Sequence, residues 1–335
     1  MKFQEILKTE KAITLVKETF SVKLSQELNL TKVSSPLVVL DGTGINDDLN
    51  GTERSVKFPI KALGEQKGVV VHSLAKWKRL RLKEIGFESG KGILTDMRAL
   101  RPDEDYSPLH SIYVDQWDWE KCIDITQRRL SYLKSTVTKI YNALKETEMT
   151  VQEAYPEISA VLPNSIEFIH SEELLQRYPL LTAKERETEI AKKYGAVFII
   201  GIGGKLSNGM PHDERAADYD DWSTQSEAGF YGLNGDIILW HPILKCAFEV
   251  SSMGIRVDTV ALLKQLKEKE CEERKKLLFH NMLLSGKLPE SIGGGIGQSR
   301  VCMFMLKKKH IGEVQVSIWS EEERKKLALA GISLL

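Results

Sequence analysis

Cysteine is scarce in this sequence: Cys122, Cys246, Cys271 and Cys302 are widely separated and form no C-x-x-C pair. A disulfide framework or a thiolate zinc site is therefore not expected, and the thiols read as reduced and partly buried. Neither charge is in surplus, with 47 Lys and Arg against 47 Asp and Glu. A protein that lives on a polyanion usually carries a basic excess, because phosphate contacts supply most of the affinity; nucleic acid is not expected as a partner. Long apolar runs are missing as well. The longest, residues 196–203, is far short of the roughly 20 residues a membrane helix needs. The charges scattered through the opening MKFQEILKTEKAITLVKETF are unlike a signal peptide. Internal repeats, low-complexity tracts and Pro/Gly/Ser linkers are also absent. The expectation is a cytoplasmic chain without a membrane partner, folded as one domain over residues 1–335.

Hydrophobic residues make up 42% and charged residues 28%, close to the globular average, which excludes disordered and fibrous classes. Phe3, Ile6, Ile13, Val16, Phe20, Leu24 and Leu28 recur at spacings of three, four and seven, predicting an amphipathic helix over the first 28 residues. Pro36 biases Ser35 towards an extended conformation. Residues 128–146, 182–193 and 258–284 read as further helices, the last with Asp258 or Thr259 as cap. Short runs rich in β-branched residues at 69–71, 111–114, 166–169, 196–200, 236–240 and 247–250 read as strands. Helices interleaved with clustered strands predict a mixed α/β domain on one large sheet.

Three segments resist a pure packing explanation. The first is RALRPDED at 98–105 followed by SIYVDQWDWE at 111–120, which reads as a hairpin. Side chains two apart on a strand project the same way, so Gln116, Asp118 and Glu120 share one face; they serve either a solvated edge or a ligand. The second is SIGGGIGQSR at 291–300, a glycine-rich strand-to-helix junction. There the backbone can approach a ligand closely and Arg300 can reach a phosphate. The third is the pair Asp236 and Glu249 on separate strands, suitable as hard oxygen ligands for Mg²⁺ or as buried, paired carboxylates. A charged loop, His212–Arg215 with Asp218–Asp221, either covers a pocket or is solvated.

In this order the segments resemble the three signature motifs of class II aminoacyl-tRNA synthetases. Residues 1–40 resemble the dimer-interface motif 1, residues 98–120 resemble motif 2 with Arg101 and Glu104, and residues 292–306 resemble motif 3. Within that superfamily the chain most resembles the ammonia-dependent, A-type asparagine synthetase family, the aspartate–ammonia ligases. The matching stretches are 47–51, 72–79, 99–120, 201–207, 219–224, 233–236, 248–258 and 292–300. The resemblance implies an α/β (α+β) single domain with a large, mainly antiparallel sheet flanked by helices. It also implies a homodimer, and synthesis of asparagine from L-aspartate, ammonia and ATP through a β-aspartyl-adenylate, with AMP and pyrophosphate released.

It further implies the residue roles. Arg101 would meet the α-phosphate and transition state, Arg300 the tail of the triphosphate, and Glu104, Gly293, Gly294 and Gly295 the rest of the nucleotide. Asp236 and Glu249 would hold Mg²⁺. Ser73, Lys78 and Arg256 would orient carboxylates, while Asp118, Asp220 and Ser252 would take the α-amino side. Gln116 would contact the reacting carboxylate, and Asp47 would bind ammonium and accept a proton. Three rivals have specific requirements. A glutamine-dependent synthetase needs a nucleophilic cysteine near the start, where Lys2 stands. An aspartyl- or asparaginyl-tRNA synthetase-like enzyme needs an anticodon-binding appendage and a basic surface. A non-catalytic amino-acid sensor would not require the phosphate and metal groups.

Overall fold

The computed structural model describes residues 2–47, 53–226 and 228–335; residues 48–51 of the 47–51 stretch and the side chain of Phe3 lie outside this description. The alternation at 116–120 makes one strand with two unlike faces: Trp117 and Trp119 look one way, Gln116, Asp118 and Glu120 the other. That division runs across a whole sheet. The strands are β1 (Leu30–Lys32), β2 (Val38–Leu40), β3 (Lys57–Ile60), β4 (Gln66–Val70), β5 (Gly92–Leu100), β6 (Tyr113–Cys122), β7 (Glu167–His170), β8 (Ala196–Ile200), β9 (Asn234–His241), β10 (Cys246–Ile255) and β11 (Ser291–Gly297). Eight of them form one sheet in the order β1-β5-β6-β11-β10-β9-β8-β7. Its five inner pairings are antiparallel and the two outer ones, β1 with β5 and β7 with β8, are parallel. A small antiparallel sheet, β2-β4-β3, stands apart.

The helices are α1 (Lys2–Leu28), α2 (Ala75–Ile85), α3 (Leu130–Ala154), α4 (Ser171–Arg177), α5 (Ala183–Tyr194), α6 (Thr259–Glu268), α7 (Leu278–Leu284), α8 (Gln298–Met305) and α9 (Glu321–Leu329). The stripe read from the sequence on α1 is the face it buries: Val16, Phe20 and Leu24 pack with Leu133, Val137 and Ile140 of α3, Val301 and Phe304 of α8, and Trp117, Trp119, Met253 and Ile292 of the sheet. Phe20 lies 4.6 Å from Trp117 between ring centroids. Each large side chain buried here contributes about 1.5–3 kcal/mol, and one whole face of the sheet is spent on this core. The other face is free for chemistry in its middle.

The structure departs from the sequence-based expectations in three places. Residues 258–284 do not form one helix: Asp258 caps α6 by accepting from the Ala261 N–H, but Glu270 turns the chain with φ of 53° and α7 follows separately. The break folds Phe279 and Leu283 back onto Leu262 and Leu266, whereas a straight continuation would carry that apolar face into solvent. Helix α2 was not anticipated, because it buries Lys76, Lys78 and Arg79 rather than an apolar stripe. The strand expected at 111–114 begins at Tyr113 and runs to Cys122.

Candidate active site

The antiparallel register places residues of four central strands in rows. Asp118 of β6 pairs with Gly295 of β11, Gly295 with Ser252 of β10, and Ser252 with Asp236 of β9. The next row is Glu120, Gly293, Gly254 and Asn234. Side chains in one row share a face, so these rows form a polar floor opposite the apolar core. The glycines keep it open. A Cβ on Gly295 would fall 2.5 Å from Gln116 Oε1 and 2.7 Å from Asp118 Oδ1, and one on Gly293 would collide with the Glu120 carboxylate. A register shift between Glu249 and Ser251 marks a bulge in β10. Phe248 before it, the unpaired Val250 within it, and Met253 and Ile255 after it all face the core. The extra residue thus lets both Glu249 and Ser252 look into the cleft, the usual work of a bulge beside a site.

Buried ions of both signs stand on this floor. Arg256 is fixed by Glu120, with Nε to Oε1 at 3.0 Å and Nη2 to Oε2 at 2.7 Å, and by Asp220 through Nη1. Lys78 Nζ donates to the Gly294 carbonyl at 2.8 Å and lies 3.4 Å from Asp118. Burial lowers the Lys78 ammonium and raises the Asp118 carboxyl. Burial also opposes the charge of Glu120, but Arg256 and the Ser291 hydroxyl hold it below the usual carboxylate range. Arg215 Nη2 reaches Asp236 Oδ1 at 2.5 Å. Burial, reinforced by Glu249, nonetheless pushes Asp236 up to about 7 against the pull of Arg215.

The hairpin of β5 and β6 supplies the opposite wall. Arg101, one residue past β5, donates its N–H to the Ile112 carbonyl at 2.8 Å and accepts from the Glu104 N–H. Among the described residues its Nε has no hydrogen-bond partner. Burial raises the Glu104 carboxyl. Arg300, in the first turn of α8, donates to the Glu249 carbonyl at 2.9 Å and to His110 Nε2 at 2.6 Å. Asp47 is buried, and its carbonyl meets His72 Nδ1 at 3.1 Å.

One cleft of about 530 Å³ gathers Asp47, Ser73, Lys78, Arg101, Glu104, Gln116, Asp118, Asp220, Asp236, Glu249, Ser252, Arg256, Gly294, Gly295 and Arg300. Gly293 is not part of its lining; it lies one row deeper, making room for the Glu120–Arg256 pair. The lining also includes Arg215, His110 and Tyr219, which the sequence reading did not assign. Arg215 belongs to the charged loop whose role was left open there. That loop is tied down by His212 to Glu187, Lys184 to Asp213 and Trp222 Nε1 to the Ala216 carbonyl, and Asp213–Ala216, Tyr219 and Asp220 line the cleft. His110 lies inside the 99–120 stretch, in the turn between β5 and β6, where the sequence pattern assigns it no role.

Known proteins carry the same arrangement of sequence. The profile of the aspartate-ammonia ligase family matches residues 7–331. An aspartate–ammonia ligase of Parabacteroides distasonis is 58% identical over 327 residues, 98% of this chain and 95% of its own. One from Clostridium perfringens is 58% identical over 314 residues, 94% of this chain and 91% of its own. Among solved structures, asparaginyl-tRNA synthetase from Pyrococcus horikoshii complexed with asparaginyl-adenylate superposes with a TM-score of 0.68 at 14% identity, covering 92% of this chain and 68% of that one. That likeness shows the fold, a class II aminoacyl-tRNA synthetase core around a polar sheet face. With identity above one half along nearly its whole length, the chain belongs to the aspartate-ammonia ligase family, enzymes that make asparagine from aspartate and ammonia.

Proposed function

We propose that the protein is an ATP-dependent, AMP-forming asparagine synthetase. The β-carboxylate of aspartate attacks the α-phosphorus of ATP, pyrophosphate leaves, and ammonia then attacks the β-carbonyl of the aspartyl-adenylate and displaces AMP. One observation carries this reading: Arg101 and Arg300 on one wall share a single cleft with Lys78, Asp118, Asp220 and Arg256 on the floor. The first pair suits a triphosphate and the second set a zwitterionic dicarboxylic amino acid.

The chemistry is opposed by like charge, because a carboxylate must approach a phosphate. Arg101, whose Nε has no hydrogen-bond partner among the described residues, offers donors where negative charge develops, which is where preorganised donors are worth most. Arg300 draws the leaving pyrophosphate. Arg256 has five N–H groups, of which three are engaged by Glu120 and Asp220; the remaining two, with Lys78 and Ser73, orient aspartate carboxylates. Asp118, Asp220 and Ser252 face its ammonium group, and Gln116 the reacting carboxylate. Asp47 binds ammonium and takes the proton released as the amide forms. Adenylation replaces hydroxide by AMP as the leaving group, and holding both reactants in line is worth up to about 7–11 kcal/mol.

Asp236 and Glu249 fit Mg²⁺. They stand on adjacent strands, and Glu249 and burial together press Asp236 towards protonation, so an added cation relieves both. Among the described residues no group of three or more His, Cys, Asp or Glu forms a metal site. That suits an ion bound by two carboxylates and substrate phosphates rather than a protein cage. The ion would neutralise the phosphate tail. Residues 1–335 would act as one catalytic domain, paired as a C2 homodimer through the N-terminal element, where Leu7 and Val22 of α1 remain exposed.

The test uses aspartate labelled with ¹⁸O in its β-carboxylate, together with ATP, Mg²⁺ and ammonium chloride. Label appearing in AMP, with asparagine and pyrophosphate formed together, is the expected result. ADP as product, glutamine outperforming ammonium chloride, or aminoacylated tRNA would each overturn it.

A further inference from the structure

The cleft contains two kinds of arginine. Arg256 and Arg215 are matched to carboxylates, Glu120 with Asp220 and Asp236 respectively. Arg300 is held differently: Nη1 donates to a backbone carbonyl, Glu249 O at 2.9 Å, and Nη2 to His110 Nε2 at 2.6 Å. Among the described residues the one carboxylate oxygen within 4.0 Å is Glu249 Oε1, at that distance from Nη1. A guanidinium has only donors, so Nε2 of His110 must accept, and the single proton of the neutral imidazole sits on Nδ1. There it donates to Ser107 Oγ at 2.8 Å. That hydroxyl also accepts from the Leu109 N–H at 3.1 Å.

The residue is mounted rigidly. Ser107 and His110 exchange backbone hydrogen bonds at 3.3 Å across Pro108 and Leu109, and the Pro108 carbonyl accepts from the Ile311 N–H at 2.8 Å. Tyr106, next to this turn, donates its hydroxyl to the Ile318 carbonyl at 2.7 Å and packs on Trp319. Proline at the second position of a four-residue turn presets its backbone. Burial, then Arg300, lower the imidazole to about 4, in keeping with a neutral ring.

We propose that His110 is a positioning residue for nucleotide binding: as a neutral acceptor it aims the Arg300 guanidinium without consuming its charge. A carboxylate at this place would orient Arg300 equally well but would cancel the attraction for a polyphosphate. Two neutral acceptors fix the fork and leave its positive charge, with an N–H on each terminal nitrogen, for the ligand. The inference rests on the reading of Arg300 as a triphosphate group.

The test compares His110→Leu, His110→Gln, His110→Glu, Arg300→Ala and the double variant His110→Leu/Arg300→Ala. ATP affinity is measured by calorimetry, the KM for ATP and for aspartate by pyrophosphate release, and folding by thermal unfolding. Losing a hydrogen bond to a charged group predicts about a 10- to 100-fold weaker hold on ATP in His110→Leu, with the KM for aspartate little changed. His110→Gln, which keeps an acceptor, recovers a substantial part of that loss. His110→Glu falls below His110→Leu. The double variant binds ATP no worse than Arg300→Ala, because His110 acts only through Arg300. If Arg300→Ala leaves ATP binding intact, the reading of Arg300 is wrong. If Arg300→Ala weakens binding but His110→Leu does not, or the two losses add, the positioning role is overturned. Equal losses in Leu, Gln and Glu variants with lowered melting temperatures would make His110 a structural residue and overturn it too.

Discussion

Adding a single methyl group to the floor of the cleft separates function from folding. In Gly295→Ala the new Cβ would lie 2.5 Å from Gln116 Oε1 and 2.7 Å from Asp118 Oδ1, short of the 3.4 Å of ordinary contact by 0.9 Å and 0.7 Å. Both neighbours are the far ends of side chains, so they can retreat, and the strand loses little. Alanine also gains backbone entropy over glycine, about 0.5–1 kcal/mol, so stability should stay within roughly 1 kcal/mol of the parent. The retreat, however, moves the groups proposed to face the ammonium and the reacting carboxylate of aspartate, and it disturbs the Lys78–Asp118 pair. A misplacement near 1 Å in a reacting site costs on the order of 10²-fold, so kcat/KM for aspartate should fall by about that factor. Gly235→Ala is the contrast. There the Cβ meets the backbone carbonyl of Ile199 and the Phe198 ring at 2.8 Å, neither free to withdraw, and a loss of about 1–3 kcal/mol is expected. Pyrophosphate release at varied aspartate and thermal unfolding read both effects. A well-folded Gly295→Ala protein with parental kcat/KM would refute the placement of aspartate on this floor. A Gly295→Ala melting loss as large as that of Gly235→Ala would refute the claim that the floor yields.

Other variants probe separate parts of the structure. Arg101→Ala should raise the barrier by about 2.7–4 kcal/mol, as deletion of one oxyanion donor does, and single-turnover rates of adenylate formation check it; an unchanged rate removes Arg101 from the chemistry. Asp218 is buried with Lys76 at 3.0 Å and His280 at 2.9 Å, so Asp218→Asn should cost about 3–5 kcal/mol in denaturant unfolding. Burial alone would raise the Asp218 carboxyl, but Lys76 and His280 hold it far below its ordinary value, so its contribution is full at neutral pH and is lost only in strong acid. His241 behaves oppositely to a paired histidine: burial and Lys307 lower it to about 4. As pH falls from 6.5 towards 4 the unfolded chain takes up the proton first, so up to about 3 kcal/mol of stability is lost across that window. His241→Gln should flatten that slope; an unaltered pH profile would remove His241 as its source.

How much of this was legible in one dimension differs from place to place. The period-two alternation at 116–120 identified both faces of β6, because a strand can point a side chain in only two directions. The spacing on α1 identified the face it buries for the same kind of reason. The glycines at 293–295 announced a close approach but not of what to what: Gly293 shelters an ion pair and Gly295 opens the cleft, a difference set by register with β6. Helix α2 was invisible because Lys76, Lys78 and Arg79 are buried against Asp218, Asp118 and the carbonyls of Pro289 and Val257, partners up to 210 positions away that no local window contains. The bulge in β10 was equally hidden, since one extra residue in a ladder exists only relative to its neighbour.

The amino-acid order alone determined which segments are strands with two unlike faces, which helix stripe seeks a core, and where chemistry-bearing residues occur, because these follow from local geometry and side-chain type. Only the folded chain decided that Arg215 meets Asp236, that His110 holds Arg300, and that residues from 47 to 300 share one cleft. Those contacts depend on strand order and register, and these are chosen by the burial of the whole sheet rather than by any stretch within it.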